Sequence, residues 1–137
     1  MRVSGVSFLG GLVLALGLTS GTVDAAPLPA GLLPPATATG AALPALDGCR
    51  GLVLGFLGAE CPVARQYAER LGDIADRYAD RGVVVLGIDA NRQDTDEEIA
   101  ALGRDLGLRY PLLRDAGQKI ARHVGATRTG TMQLATG

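Results

Sequence analysis

The chain is predicted to be an α/β domain built on a βαβ unit with parallel strands and flanking helices, and three observations carry that prediction. Residues 52–57 (LVLGFL) and 83–88 (VVVLGI) are short, wholly apolar runs of the kind that form strands buried on both faces. Between them lies an amphipathic helical pattern of the length a crossover requires. A second helical pattern with its own start and stop signals follows the second run. Of the 137 residues, 13 are Lys or Arg and 14 are Asp or Glu, with no block of like charge. Nucleic acid and anionic membrane surfaces are therefore not expected as partners, because both need clustered cations.

Residues 1–25 read as a signal peptide. Arg2 gives a basic start, residues 8–18 are apolar with Gly and Ala, and Val23-Asp24-Ala25 resembles a small-residue cleavage site. The apolar run is too short to cross a hydrocarbon layer of ~30 Å, so no stable membrane span is expected after cleavage. The mature protein is expected to be exported, to the periplasm or outside the cell. Residues 26–46 are dense in Pro and Ala and hold no charged residue, which predicts an extended linker. The domain proper is assigned to residues 47–137.

Within that domain, residues 52–57 form the first strand and end at Gly58. The helix that follows Cys61-Pro62 places Val63, Tyr67, Leu71, Ile74 and Tyr78 on one stripe and charged residues on the other side, and Gly82 ends it. After the second strand, Asp89 is expected to cap the polar loop. Thr95 and Glu98 have the spacing of a capping box for a helix that buries Ile99, Leu102 and Leu106 and closes at Gly107. The segment 110–113 (YPLL) is apolar, but its proline restricts it to an edge or isolated strand. Asp115 and Gln118 form a looser capping pair for a short helix that stops at Gly125. No strand-length apolar run is evident beyond Gly125.

Cys61 is the first candidate for chemistry. A thiol at a strand end that is also a helix start is exposed and lies at the positive end of the peptide dipoles, which favours its thiolate. The Arg65 cation one turn on could lower the thiol pKa and the Glu60 carboxylate would oppose it. The other cysteine, Cys49, is not expected to pair with Cys61. A strand rising ~3.3 Å per residue separates them by more than the ~7 Å limit for a disulfide. The single histidine, His123, lies in a last helical turn, where an imidazolium would suit the dipole. One His and two distant Cys do not make a zinc site, and no cofactor is expected. A dinucleotide site is disfavoured because the spacing of Gly55 and Gly58 is wrong and Pro62 occupies the helix start a pyrophosphate would need.

The run FLGAECPVARQYAERLGDIADRYADRGVVVLGID, followed later by YPLLRDAGQKIARHVGATRT, resembles the redoxin domains of the thioredoxin-like superfamily, in particular the alkyl hydroperoxide reductase / thiol-specific antioxidant group. The resemblance covers about residues 46–129. It implies a nucleophilic role for Cys61, with Pro62 following as in many members and Thr129 as an active-site neighbour, in the segment that in the superfamily continues into a cis-proline facing the cysteine. Ala64 falls where disulfide-exchanging members carry a second cysteine. Gly58 falls where typical peroxiredoxins carry a threonine that orients peroxide. Gly130 stands in place of a cis-proline, and cis before a non-proline costs ~2.5–4 kcal/mol against ~0.5–1 for X-Pro. Against the family pattern, the C-terminal strand pair and last helix are expected to be missing, as in a domain cut short.

The resemblance implies an exported thiol oxidoreductase or antioxidant peroxidase. Its Cys61 would form a sulfenate or mixed disulfide with a peroxide, a small thiol or a thiol or disulfide protein, and an external thiol would resolve it. The competing expectation is a non-catalytic interaction module or inactive truncated product. The absent second cysteine, the absent cis-proline and the expected loss of the C-terminal strands favour that alternative.

Overall fold

The computed structural model describes residues 26–29 and 31–136. The predicted signal peptide, residues 1–25, lies outside the described residues. The elements run β1 (Ala26–Pro27), β2 (Gly51–Leu57), α1 (Pro62–Tyr78), β3 (Val83–Asp89), α2 (Asp96–Asp105), β4 (Leu112–Arg114), α3 (Lys119–Val124) and β5 (Met132–Thr136), with a 3-10 turn at Ala79–Arg81 after α1. They form one five-stranded sheet in the order β1-β5-β2-β3-β4.

The expected βαβ unit is present. β2 and β3 pair in parallel from Gly51↔Val83 to Leu57↔Asp89. Both apolar runs are central, and successive side chains pass to opposite faces. Leu52, Leu54, Phe56, Leu86 and Ile88 pack with Leu113, Ile120 and Ala121 on one face. Val53, Leu57 and Val85 pack with Ala64, Ala68, Leu71, Ile99 and Tyr110 on the other. Gly82, at φ 75°, turns the chain into β3, and β4 adds to β3 in parallel at the sheet edge, as the proline before it requires.

Four expectations are corrected. The buried stripe of α1 is Ala64, Ala68 and Leu71, whereas Val63 is 57% exposed. Small side chains let the helix axis approach the sheet, and burying the alanines rotates the larger Val63 outward. β5 exists beyond Gly125 and pairs antiparallel with β2 from Leu52↔Ala135 to Gly55↔Met132. Its apolar residues are broken by Gln133, Met132 and Leu134 stay 47% and 46% exposed, and the open edge of β2 supplies the pairing. Residues 26–46 do not hang free. Leu28, Leu32, Leu33, Leu43 and Leu46 cover the face that α3 leaves open, Ala26 and Pro27 pair with β5, and Ala38 donates its N–H to Leu112 O at 2.8 Å. Proline keeps regular structure there to the two residues of β1, but a leucine every few residues still has apolar surface to bury.

The fourth correction concerns α3. Asp115 accepts hydrogen bonds from the N–H groups of Lys119 and Ala121, but Gln118 gives no reciprocal cap. Its backbone is left-handed (φ 54°) and its side-chain amide donates to Ala90 O. The Thr95–Glu98 capping box of α2 forms in both directions. No helix among the described residues is long and apolar enough to cross a membrane.

Candidate active site

Cys61 stands at the N-cap of α1, with extended backbone (φ −81°, ψ 114°) and Pro62 at the first helical position. Proline fits there because the first-turn N–H it lacks has no intrahelical partner anyway. β2 delivers the chain to this point through a tight turn in which Cys61 N–H donates to Gly58 O at 3.2 Å. The thiol is half-buried, and the Thr129 hydroxyl points at Sγ from 3.9 Å. Thr129 is held there by the entry to β5: Gly130 N–H donates to Phe56 O and Phe56 N–H donates to Thr131 O.

The environment lowers the Cys61 thiol from its ordinary value of 9.0. The main cause is the Ala64 backbone N–H. Partial desolvation opposes it, and the Val63 N–H and Thr129 hydroxyl assist. No hydrogen bond of capping geometry joins Sγ to the helix. The first-turn amides therefore act as unsatisfied partial positive charges facing the sulfur. Arg65 does not contribute, because its guanidinium turns to Asp105, with Nη2 4.0 Å from Oδ2. Glu60 is exposed on the turn and is not among the groups that move the thiol. The geometry thus brings together Cys61, Pro62 and Thr129, and leaves Glu60 and Arg65 as neighbours in sequence. Cys49 lies beyond the far end of β2 and is a free thiol, as is Cys61.

Two further features shape the site. Asp89 and Asp94, each 3% exposed, both accept the Ala59 N–H, at 3.1 Å and 3.0 Å. Asp89 also accepts the Asn91 N–H, which bears out its expected role in capping the loop, and Asp94 accepts the Asn91 side-chain amide. Desolvation first, and then the neighbouring Asp94, push Asp89 up to about 7, while hydrogen bonds from Asn91 and Ala59 hold Asp94 below the usual carboxylate range despite its burial. Both carboxylates pin the turn that holds Cys61 through the Ala59 N–H. The pattern D-x-N-x-x-D directly after a buried strand is the only sequence signal for it.

The second feature explains Gly58. A Cβ there would lie 2.5 Å from Asn91 Nδ2, with Thr129 Cγ2 at 3.4 Å and Cys61 Cβ at 3.5 Å. The space that a threonine would need is filled by the amide that binds Asp94. Gly130 takes a left-handed conformation (φ 82°) and abuts the Tyr67 ring, and no cis peptide occurs among the described residues. His123 is not simply a dipole cap, because its Nε2 bonds to Pro27 O at 3.0 Å and ties α3 to β1.

A family model described as the AhpC/TSA family matches residues 27–136. Over 71 residues the chain is 28% identical to the thiol-disulfide oxidoreductase ResA of Bacillus thuringiensis (strain Al Hakam), covering 52% of this chain and 40% of that protein. The match thus spans about two fifths of the curated relative's length. Among solved structures, the hypothetical protein SMc02350 from Sinorhizobium meliloti 1021 is similar with a TM-score of 0.59 and 29% identity, over 65% of this chain and 51% of that one. A secreted Mycobacterium tuberculosis disulfide oxidoreductase homologous to E. coli DsbE is similar with a TM-score of 0.57 and 20% identity, over 74% of this chain and 81% of that one. That last likeness speaks for a thioredoxin-like fold. The family match runs from β1 through the cysteine turn to β5, and it establishes this chain as a member of the AhpC/TSA family.

Proposed function

We propose that the protein is an exported thiol oxidoreductase of redoxin type in which Cys61 is the attacking group. The observation that carries this reading is the placement of a half-buried thiol at the N-terminus of α1, lowered by the first-turn amides and approached by the Thr129 hydroxyl. Thiolate is the reactive form of cysteine, so a lowered pKa raises the reactive fraction at neutral pH. With a disulfide, Sγ bonds to one sulfur, the S–S bond breaks, and the other sulfur leaves as a thiolate. With a hydroperoxide, Sγ takes one oxygen as the O–O bond breaks, leaving a sulfenic acid and an alcohol. A second thiol then condenses with the sulfenic acid, releasing water. In both routes an external thiol resolves the mixed disulfide, because Ala64, fully buried one turn into α1, stands where an internal thiol would act.

The partners implied are small thiols, peroxides, or thiol and disulfide proteins. Export rests on the leader-like pattern of residues 1–25, and N-terminal sequencing of the mature protein tests it. Replacing Cys61 with Ser in thiol-exchange and peroxide-consumption assays tests the chemistry: loss of turnover is expected, and equal turnover by mutant and wild type rejects the enzymatic reading. The buried Ala64 favours one other reading, a non-catalytic thioredoxin-like module. An unreactive Cys61 in the same assays would select it.

A further inference from the structure

A cleft of about 300 Å³ opens between the end of β2, the loop after β3, α3 and the segment leading to β5, and it reaches the Cys61 thiol through Thr129 rather than through a wall formed by Cys61 itself. Its rim includes Thr129, whose hydroxyl faces Sγ, and Asn91, whose amide abuts the Cys61 turn at Gly58. Two cations line it, Arg122 and Arg128, and no carboxylate does. Both arginines are exposed, and neither forms an ion pair among the described residues. Arg122 is steadied by donating to Gly117 O. The remaining polar lining, Asn91, Gln118, Thr127 and Thr129, can donate hydrogen bonds as well as accept them. Three carboxylates lie behind the lining, Asp89 and Asp94 behind Asn91 and Asp115 behind Gln118 and Ala121, and all three are buried and bound to backbone N–H groups, while Glu60 lies outside the lining.

Phe56, Leu57, Ala121 and Ala126 supply an apolar floor, so the cleft is amphipathic and of small-molecule size. A cation pair without counter-ions at the mouth of such a cleft attracts anions and raises their local concentration. We propose that this cleft selects small, anionic thiols and disulfides as the exchange partners of Cys61. The proposal rests on the thiol-exchange reading above and specifies its substrate class. In the exchange, Sγ bonds to one sulfur of the anionic disulfide held in the cleft, and the other half leaves as an anionic thiolate, so no further oxidant or reductant is consumed.

The test compares two probe disulfides, dianionic 5,5′-dithiobis(2-nitrobenzoate) and neutral 2,2′-dithiodipyridine, with Cys49→Ser chain so that only Cys61 is read. One cation at the edge of a water-open cleft changes encounter with an anion by about threefold. Arg128→Gln is expected to slow the dianionic probe about threefold, and Arg122→Gln with Arg128→Gln about tenfold, with the neutral probe unchanged. Added salt should lower the wild-type preference towards that of the double variant. An unchanged ratio of the two rates in the double variant overturns the proposal. Because Arg122 also bonds to Gly117, the single Arg128 variant and the neutral-probe rate separate charge loss from damage to α3. If Cys61 reacts with neither probe in the wild-type background, the exchange reading itself fails, an outcome distinct from loss of charge preference.

Discussion

Asp89→Asn isolates the energetic consequence of the buried carboxyl pair. In the unfolded chain Asp89 titrates near its ordinary 3.8, and in the fold at about 7. Below pH 3.8 both states carry the proton and the stabilisation of the neutral group is fully present. As pH rises towards 7 the unfolded state loses the proton while the folded state keeps it, so stability falls, and it levels off once the folded group also ionises. A rise of roughly three pH units at ~1.4 kcal/mol each sets a ceiling of about 4 kcal/mol. Asp94 has the opposite sign: its contribution is lost only as pH falls through a value below 3.8, outside this window. Asparagine has the neutral charge of the protonated form: its carbonyl can accept from Asn91 N–H, and Ala59 N–H, which an amide nitrogen cannot accept, keeps the Asp94 carboxylate as its acceptor. The variant should match wild type near pH 4, exceed it at pH 8 by ~2–4 kcal/mol, and show little slope between. Urea unfolding at five pH values measures this. A variant that keeps the wild-type slope, or is weakened equally at every pH, refutes the raised Asp89 pKa.

Three further outcomes follow from packing and chemistry. Gly55→Ala places a Cβ 2.2 Å from Leu71 Cδ1 under α1 and should cost ~1–3 kcal/mol in urea unfolding; a neutral result would mean Leu71 can move freely. Gly58→Thr must displace the Asn91 amide and break its bond to Asp94, at a cost of ~1–3 kcal/mol read by thermal melts, and an unchanged melt contradicts the crowding. Ala64→Cys supplies a thiol one turn from Cys61. The mixed disulfide formed at Cys61 should then vanish from mass spectra as an internal disulfide replaces it, and its persistence would show that position 64 is out of reach.

The central strands were legible because burial on both faces leaves an unbroken apolar run, and α2 because its capping box is a local bond between Thr95 and Glu98. Cys61 was legible for the same local reason, since strand end, cysteine and proline together specify a helix start. What escaped depends on tertiary partners. Val63 outranks Ala64 in hydrophobicity, yet close approach of helix to sheet favours the smaller residue. β5 is drawn into the sheet by the free edge of β2 rather than by its own apolar pattern. Arg65 is adjacent to the thiol along the chain, but its long side chain finds Asp105 across the helix layer. Asp94 belongs to the site only because the loop after β3 folds back under Ala59.

Reactivity of this kind depends most on the state of one sulfur. In a Cys49→Ser background, the rate of iodoacetamide alkylation against pH reports the Cys61 thiolate directly. The first-turn amides and the Thr129 hydroxyl predict an inflection clearly below 9.0, moved upward by Thr129→Val. An inflection at or above 9.0, unaffected by Thr129→Val, would contradict the claim that the start of α1 activates Cys61.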